Sequence, residues 1–204
     1  MAFGLKPVRY KDGSPWNGAA NLYYVPSSDA TAIYLYDAVK SAGSGDAAAT
    51  GVPTVAQAAA GDTIRGVVVG FCPTTPGHLT TALQPPSTEG PQYRPASTAM
   101  YLWVVDDPNV IFEVEEDGDT SSLQVTNIGS NADIVVGTGS TTTGLSGMAI
   151  DSSSVVATTA QLRLMRLAYR ADGSNEASSD GSAGNTAIWE VIINEHELTG
   201  TAGV

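Results

Sequence analysis

The chain has 204 residues, 42% of them hydrophobic, with 21 acidic residues against 9 basic ones and a net charge of −12. That length suits one domain with a substantial core, and the charge disfavours direct contact with nucleic acid or with anionic membrane, both of which present negative surfaces. The single cysteine, Cys72, excludes an internal disulfide framework and a multi-cysteine metal site.

No run approaches the roughly 18 apolar residues of a spanning helix, and the first ten residues lack the apolar stretch of a signal peptide. The expectation is a soluble protein made in the cytoplasm. Only 15% of residues are charged, and 22 Gly and 11 Pro accompany long Ala, Ser and Thr tracts. Such a composition predicts short strands and long loops: a mostly β protein, a small barrel or sandwich.

Residues 1–20 read as an extended N-terminal arm. Three of the nine basic residues, Lys6, Arg9 and Lys11, lie in it, which suits contact with an acidic neighbour. Residues 21–199 read as the β-rich domain and 200–204 as a flexible tail. Strand-like runs bounded by turn residues fall at 22–25, 33–36, 65–71, 100–105, 110–115, 123–125, 133–136, 161–168 and 187–193. The run at 100–105 is apolar on both faces and belongs in the middle of a sandwich or under a partner. At 110–115, Phe112 and Val114 share one face while Glu113 and Glu115 share the other, the pattern of a half-buried strand. Between these two runs, Asp106-Asp107-Pro108-Asn109 reads as a tight hairpin turn. In the last run, Trp189, Val191 and Ile193 form one apolar face. The segments 41–61, 74–97, 137–147 and 171–184 lack periodicity, and loops of that length suit docking across a neighbour.

The residues offer little for catalysis. His196, in Glu195-His196-Glu197, has no HExxH spacing and reads as an exposed strand end, while His78 has no partner in sequence. The acidic run 113–119 lacks the register of a calcium loop. Gly144-Leu145-Ser146-Gly147 is one residue too short for a nucleophile elbow, and no Gly-rich phosphate loop is present. Neither a catalytic nor a cofactor nor a metal site is predicted.

Three blocks carry a resemblance. The first is GVVVGF at 66–71. The second, at 93–117, contains YRPAST and VDDPNVIFEVEED. The third starts at Asn131 and runs through TGSTTTGLSGMAIDSSS and QLRLMRLAYR to WEVIINEHEL. The upstream DATAIYLYDAVKSAG and GVPTV are similar too. Together they resemble the head decoration, or capsid cement, proteins of tailed bacteriophages, over most of the chain after Ile64. The resemblance implies a structural virion protein without enzymatic activity or cofactor. It implies binding to the outer surface of an icosahedral capsid, bridging of major capsid protein subunits, and neighbouring copies in contact.

The capsid-contact candidates are Lys6, Arg9 and Lys11 in the arm and Tyr93 and Arg94 in the Pro-rich loop. Arg94 suits a bidentate pair with a capsid carboxylate; the alternative is that Tyr93 packs the barrel and Arg94 caps a loop. A different functional class, a carbohydrate-binding or host-attachment module, would use Trp16, Tyr23, Tyr24 and Trp103 as stacking platforms. A hydrolase with its site scattered through the loops is the third reading.

Overall fold

The computed structural model describes residues 2–46, 51–72 and 92–199. In chain order its strands are β1 (Lys6–Tyr10), β2 (Asn21–Val25), β3 (Ile33–Tyr34), β4 (Ala38–Gly45), β5 (Pro53–Gln57), β6 (Gly66–Cys72), β7 (Tyr93–Arg94), β8 (Met100–Val105), β9 (Val110–Glu115), β10 (Asn131–Ala132), β11 (Ile134–Val135), β12 (Ala149–Ile150), β13 (Leu162–Leu167) and β14 (Ile188–Ile193). The protein is mostly β. A closed barrel runs β2-β5-β4-β6-β8, and an open sheet runs β1-β9-β14-β13-β10, with the ribbons β3-β7 and β11-β12 beside them.

The alternation of side chains along each strand builds two cores. Tyr23, Val25, Val39, Val55, Val68, Met100, Leu102 and Val104 fill the barrel. A second core lies where the barrel wall meets the sheet: Ala38, Ile64, Val67 and Val105 face Phe112, Val114, Leu162, Leu164, Trp189, Val191 and Ile193. The double-sided apolarity of 100–105 follows from this. Strand β8 pairs with β2 on one side and β6 on the other, sends its even residues into the barrel, and adds Val105 to the second core. The face predicted for Trp189, Val191 and Ile193 is the one that is buried.

The turn at 106–109 is not a hairpin. Strand β8 belongs to the barrel, whereas β9 pairs with β1 and β14, so the turn carries the chain from one sheet to the other. Asp107 accepts hydrogen bonds from the Asn109 backbone N–H at 2.8 Å and its side-chain amide at 3.0 Å, which fixes the bend. Asp106 turns inward and accepts from the Tyr23 hydroxyl at 2.6 Å and the Asn21 amide at 2.8 Å.

Three further expectations need correction. The first part of the N-terminal arm is an edge strand, because β1 pairs antiparallel with β9 and Leu5 is fully buried. The expected strand at 123–125 is instead a buried Leu123 leading into a 3₁₀ turn at Val125–Asn127. The expected strand at 133–136 is broken at Asp133. The backbone there accepts from Asp151 and donates to the Ser154 hydroxyl, which takes it out of the ladder. Residues 200–204, read as a tail, lie outside the described residues, as do His78 and most of the Pro-rich segment.

Candidate interaction face

The sheet buries one face against the barrel, and two irregularities decide what the other face carries. In β1, Lys6 and Pro7 pair with Glu113 and Phe112, but Arg9 pairs with Ile111, leaving Val8 as an extra residue. Regular alternation would put Arg9 on the core side. The β-bulge at Val8 reverses that parity, so Arg9 shares the outward face with Lys6. The same device recurs in β13. Leu164 pairs with Val191 and Arg166 with Glu190, and the bulge at Met165 turns Arg166 outward beside Arg163.

The two arginines close on one carboxylate. Glu190, on the central strand β14, accepts from Arg9 at 2.5 and 3.2 Å through Oε2 and from Arg166 at 2.6 Å through Oε1. Burial would raise the Glu190 pKa, but the hydrogen bonds from Arg166 and Arg9 outweigh it and hold it below the ordinary glutamate value. The Arg166 side chain is 54% exposed, so its own contribution to stability is at most about 1 kcal/mol. Beside this clamp, Arg170 forms a two-pronged pair with Glu113 at 3.0 and 2.9 Å.

The consequence is a charge segregation invisible in the totals. Lys6, Arg9, Arg163, Arg166 and Arg170, five of the nine basic residues, gather on or beside the outer face; among the described residues they meet Glu113, Glu115 and Glu190, with Asp172 within electrostatic range of Arg170. The face is net positive on a chain of charge −12, so the remaining surface is more acidic still. Close by, Met165 is 38% exposed and Tyr169 is 78% exposed. Arg, Tyr and Met are the residue types enriched at protein interfaces.

Of the contact candidates, Lys6 and Arg9 lie on this face. Lys11 is exposed just beyond β1, with its backbone N–H donating to the Asn109 carbonyl. Tyr93 lies in the β3–β7 ribbon, half-buried and stacked on Tyr34 with ring centroids 5.1 Å apart. Arg94 is fully buried. Its guanidinium donates to the backbone carbonyls of Thr98, Thr31, Pro26 and Asp29 at 2.5–2.9 Å, which removes it from the contact set and leaves the loop-capping role. Among the aromatic platforms, Tyr23 is 2% exposed and belongs to the barrel core. Tyr24 packs on Tyr101, and Trp16 is half-buried against the second core. Arg163, Arg166 and Arg170 escaped the sequence reading, although the spacing of arginines in QLRLMRLAYR held the signal.

The histidine expected at an exposed strand end is buried. His196 is 3% exposed because its backbone bridges to Ile64 at the sheet–barrel junction. Its Nδ1 accepts from the Leu198 N–H at 3.1 Å, and its Nε2 has no partner among the described residues. Burial lowers its pKa, against a smaller opposing pull from Asp106, with Arg65, Glu197 and Asp107 also in range. The sign is clear. The unfolded chain takes up the proton near pH 6.5 while the folded one resists it, so stability is complete above that pH and declines below it. Thermal unfolding midpoints should therefore fall as pH drops below about 6.5. The slope should flatten in His196→Asn, whose amide oxygen replaces Nδ1 as the acceptor; an unchanged slope assigns the loss to other groups.

Among the described residues, no group of three or more His, Cys, Asp or Glu is placed to hold a metal ion. Comparisons with family models, curated proteins and solved structures return no match.

Proposed function

We propose that this protein is a structural component of a phage virion, which decorates the outer surface of the icosahedral capsid and stabilises it by bridging major capsid protein subunits. The observation that carries this reading is the rigid, net-positive sheet face on an otherwise strongly acidic protein. It supports the reading because it orients the molecule. One side seeks an acidic protein lattice, and the rest repels free nucleic acid. The resemblance of three sequence blocks to head decoration proteins supports the identity of that lattice. A ligand that binds the assembled shell and not free subunits stabilises assembly by mass action, and many bridging copies reinforce one another through effective concentration.

The test is quantitative mass spectrometry of purified virions, paired with co-sedimentation of the purified protein on undecorated capsids. The expected result is a copy number comparable to that of the major capsid protein, with binding that weakens as salt rises. A handful of copies per particle moves the protein to the vertex, neck or tail. Absence from virions ends the capsid reading and favours the glycan-binding alternative.

A further inference from the structure

At one margin of the basic face, the structure holds a cleft of about 320 Å³ lined by Phe3, Lys6, Tyr36, Leu145, Arg170 and Ile188, with Glu113 in its wall. We propose that this cleft receives a carboxylate and the apolar group next to it from a loop of the partner protein. Its volume is at the low end for ligand sites and suits one or two side chains.

The charge balance selects the ligand. Lys6 and Glu113 are cross-strand partners, yet Arg170 already occupies both oxygens of Glu113. Among the described residues the Lys6 ammonium has neither a side-chain hydrogen bond nor an ion pair. The Lys6 charge has no paired carboxylate, and with Glu113 in the wall and Asp172 within electrostatic range of Arg170 the cleft fits a monoanion such as a carboxylate and fits a phosphate dianion poorly. Phe3, Tyr36, Leu145 and Ile188 supply an apolar wall. An unpaired cation beside an apolar wall matches a carboxylate with an apolar side chain next to it, the pattern of an acidic peptide element.

The cleft is also preorganised at a cost. Tyr36 has φ of 72°, a left-handed conformation uncommon for a tyrosine. Three contacts impose it. The Tyr36 N–H donates to the Val68 carbonyl at 2.8 Å, and its carbonyl accepts from Leu5 at 2.9 Å. Gly4 packs so closely that a Cβ there would lie 2.4 Å from the Tyr36 oxygen. Strain held from several sides is found at functional sites, and Tyr36 lines this cleft while packing against the second core.

The proposal rests on the reading of this face as the partner surface, and the two fail separately because a small probe needs no capsid. The probe is hydrocinnamate, with neutral hydrocinnamamide as control, titrated into isotope-labelled protein and followed by backbone amide shifts. Saturable shifts confined to Phe3, Lys6, Leu145, Arg170 and Ile188 are expected for the acid, with a Kd on the order of millimolar. Lys6→Gln should weaken binding about tenfold, and Lys6→Arg should restore most of it. Equal shifts from acid and amide, shifts elsewhere, or unchanged binding in Lys6→Gln overturn the site. Excess hydrocinnamate should also displace the protein from capsids, and an occupied cleft without displacement overturns the docking role. Probe binding by a protein that ignores capsids would leave the cleft standing and sink the capsid reading.

Discussion

Replacing Arg94 with alanine should cost about 3–5 kcal/mol of stability, a large fraction of what a domain of this size possesses. The side chain is fully buried, and it gathers the carbonyls of Pro26, Asp29, Thr31 and Thr98 around one planar fork, with the Asp29 carboxylate 3.7 Å away. Truncation takes a donor from all four carbonyls, of which Pro26 and Asp29 keep one from the Asp29 and Ser97 N–H groups, and it leaves a void in a site closed to water. The β3–β7 ribbon depends on this knot, since Arg94 itself pairs with Ile33, and Ile33 is fully buried in the barrel core. Arg94→Lys should recover little of the loss, because an ammonium cannot present donors to four carbonyls set in a plane. Urea unfolding of the two variants measures this. A loss below about 1 kcal/mol would mean that the carbonyls find other partners.

The largest functional effect should come from reversing charge on the sheet face without disturbing the Glu190 clamp. Lys6 and Arg163 both point outward, and neither is paired with a carboxylate in the clamp. Lys6→Glu with Arg163→Glu makes the face net negative. Stability should change by no more than about 0.5 kcal/mol at Lys6, as is usual for exposed positions, and fall by about 1–3 kcal/mol at Arg163, which donates at 3.1 Å to the buried Asn131 side chain. Binding to an acidic partner surface should weaken by about 2–3 kcal/mol, roughly two orders of magnitude in Kd, mostly through slower association. Lys40→Glu is the control: it changes net charge by the same amount per site, but on a barrel strand where Lys40 pairs with Asp62 at 2.7 Å. If the control weakens capsid binding as much as the double reversal does, overall charge governs association and the face has no special part.

Much of the fold was legible because burial writes itself into period-two patterns. Strands β8, β9, β13 and β14 each carry apolar residues facing a core, and each appears at the predicted place within one or two residues. Strands β4 and β5 were missed because their sequences, AVKSAGSG and PTVAQ, contain small and polar residues whose pairing is imposed by closure of the barrel. The polar segment at 171–184 was read as a docking loop, yet it is tied to its own chain. The Asn175 side chain donates to the Ala168 and Ile188 carbonyls and accepts from Ile188, taking the place of a missing strand neighbour. The functional face was harder to see. Sequence alternation assigns Arg9 and Arg166 to the buried side, and only pairing with a neighbouring strand shows where an extra residue resets the count. Arg94 misled for the opposite reason: a lone arginine in a Pro-rich segment looks exposed until four separate carbonyls turn out to converge on it.

The paired bulges set an unusual rule for how this protein can vary. Val8 and Met165 leave their neighbours facing as they do because each is held out of the ladder, opposite no residue of its own on the partner strand. Exchanging either for another residue leaves the outward surface as it is. Losing either one would join its neighbours in an unbroken ladder with Arg9 still opposite Ile111 and Arg166 still opposite Glu190. Drawing the extra residue into the ladder would instead swing an arginine into the hydrocarbon interior, at the cost of an unpaired charge. Lineages descending from this chain are thus free to change letters at these two positions and even to lose them, provided that Arg9 stays opposite Ile111 and Arg166 opposite Glu190.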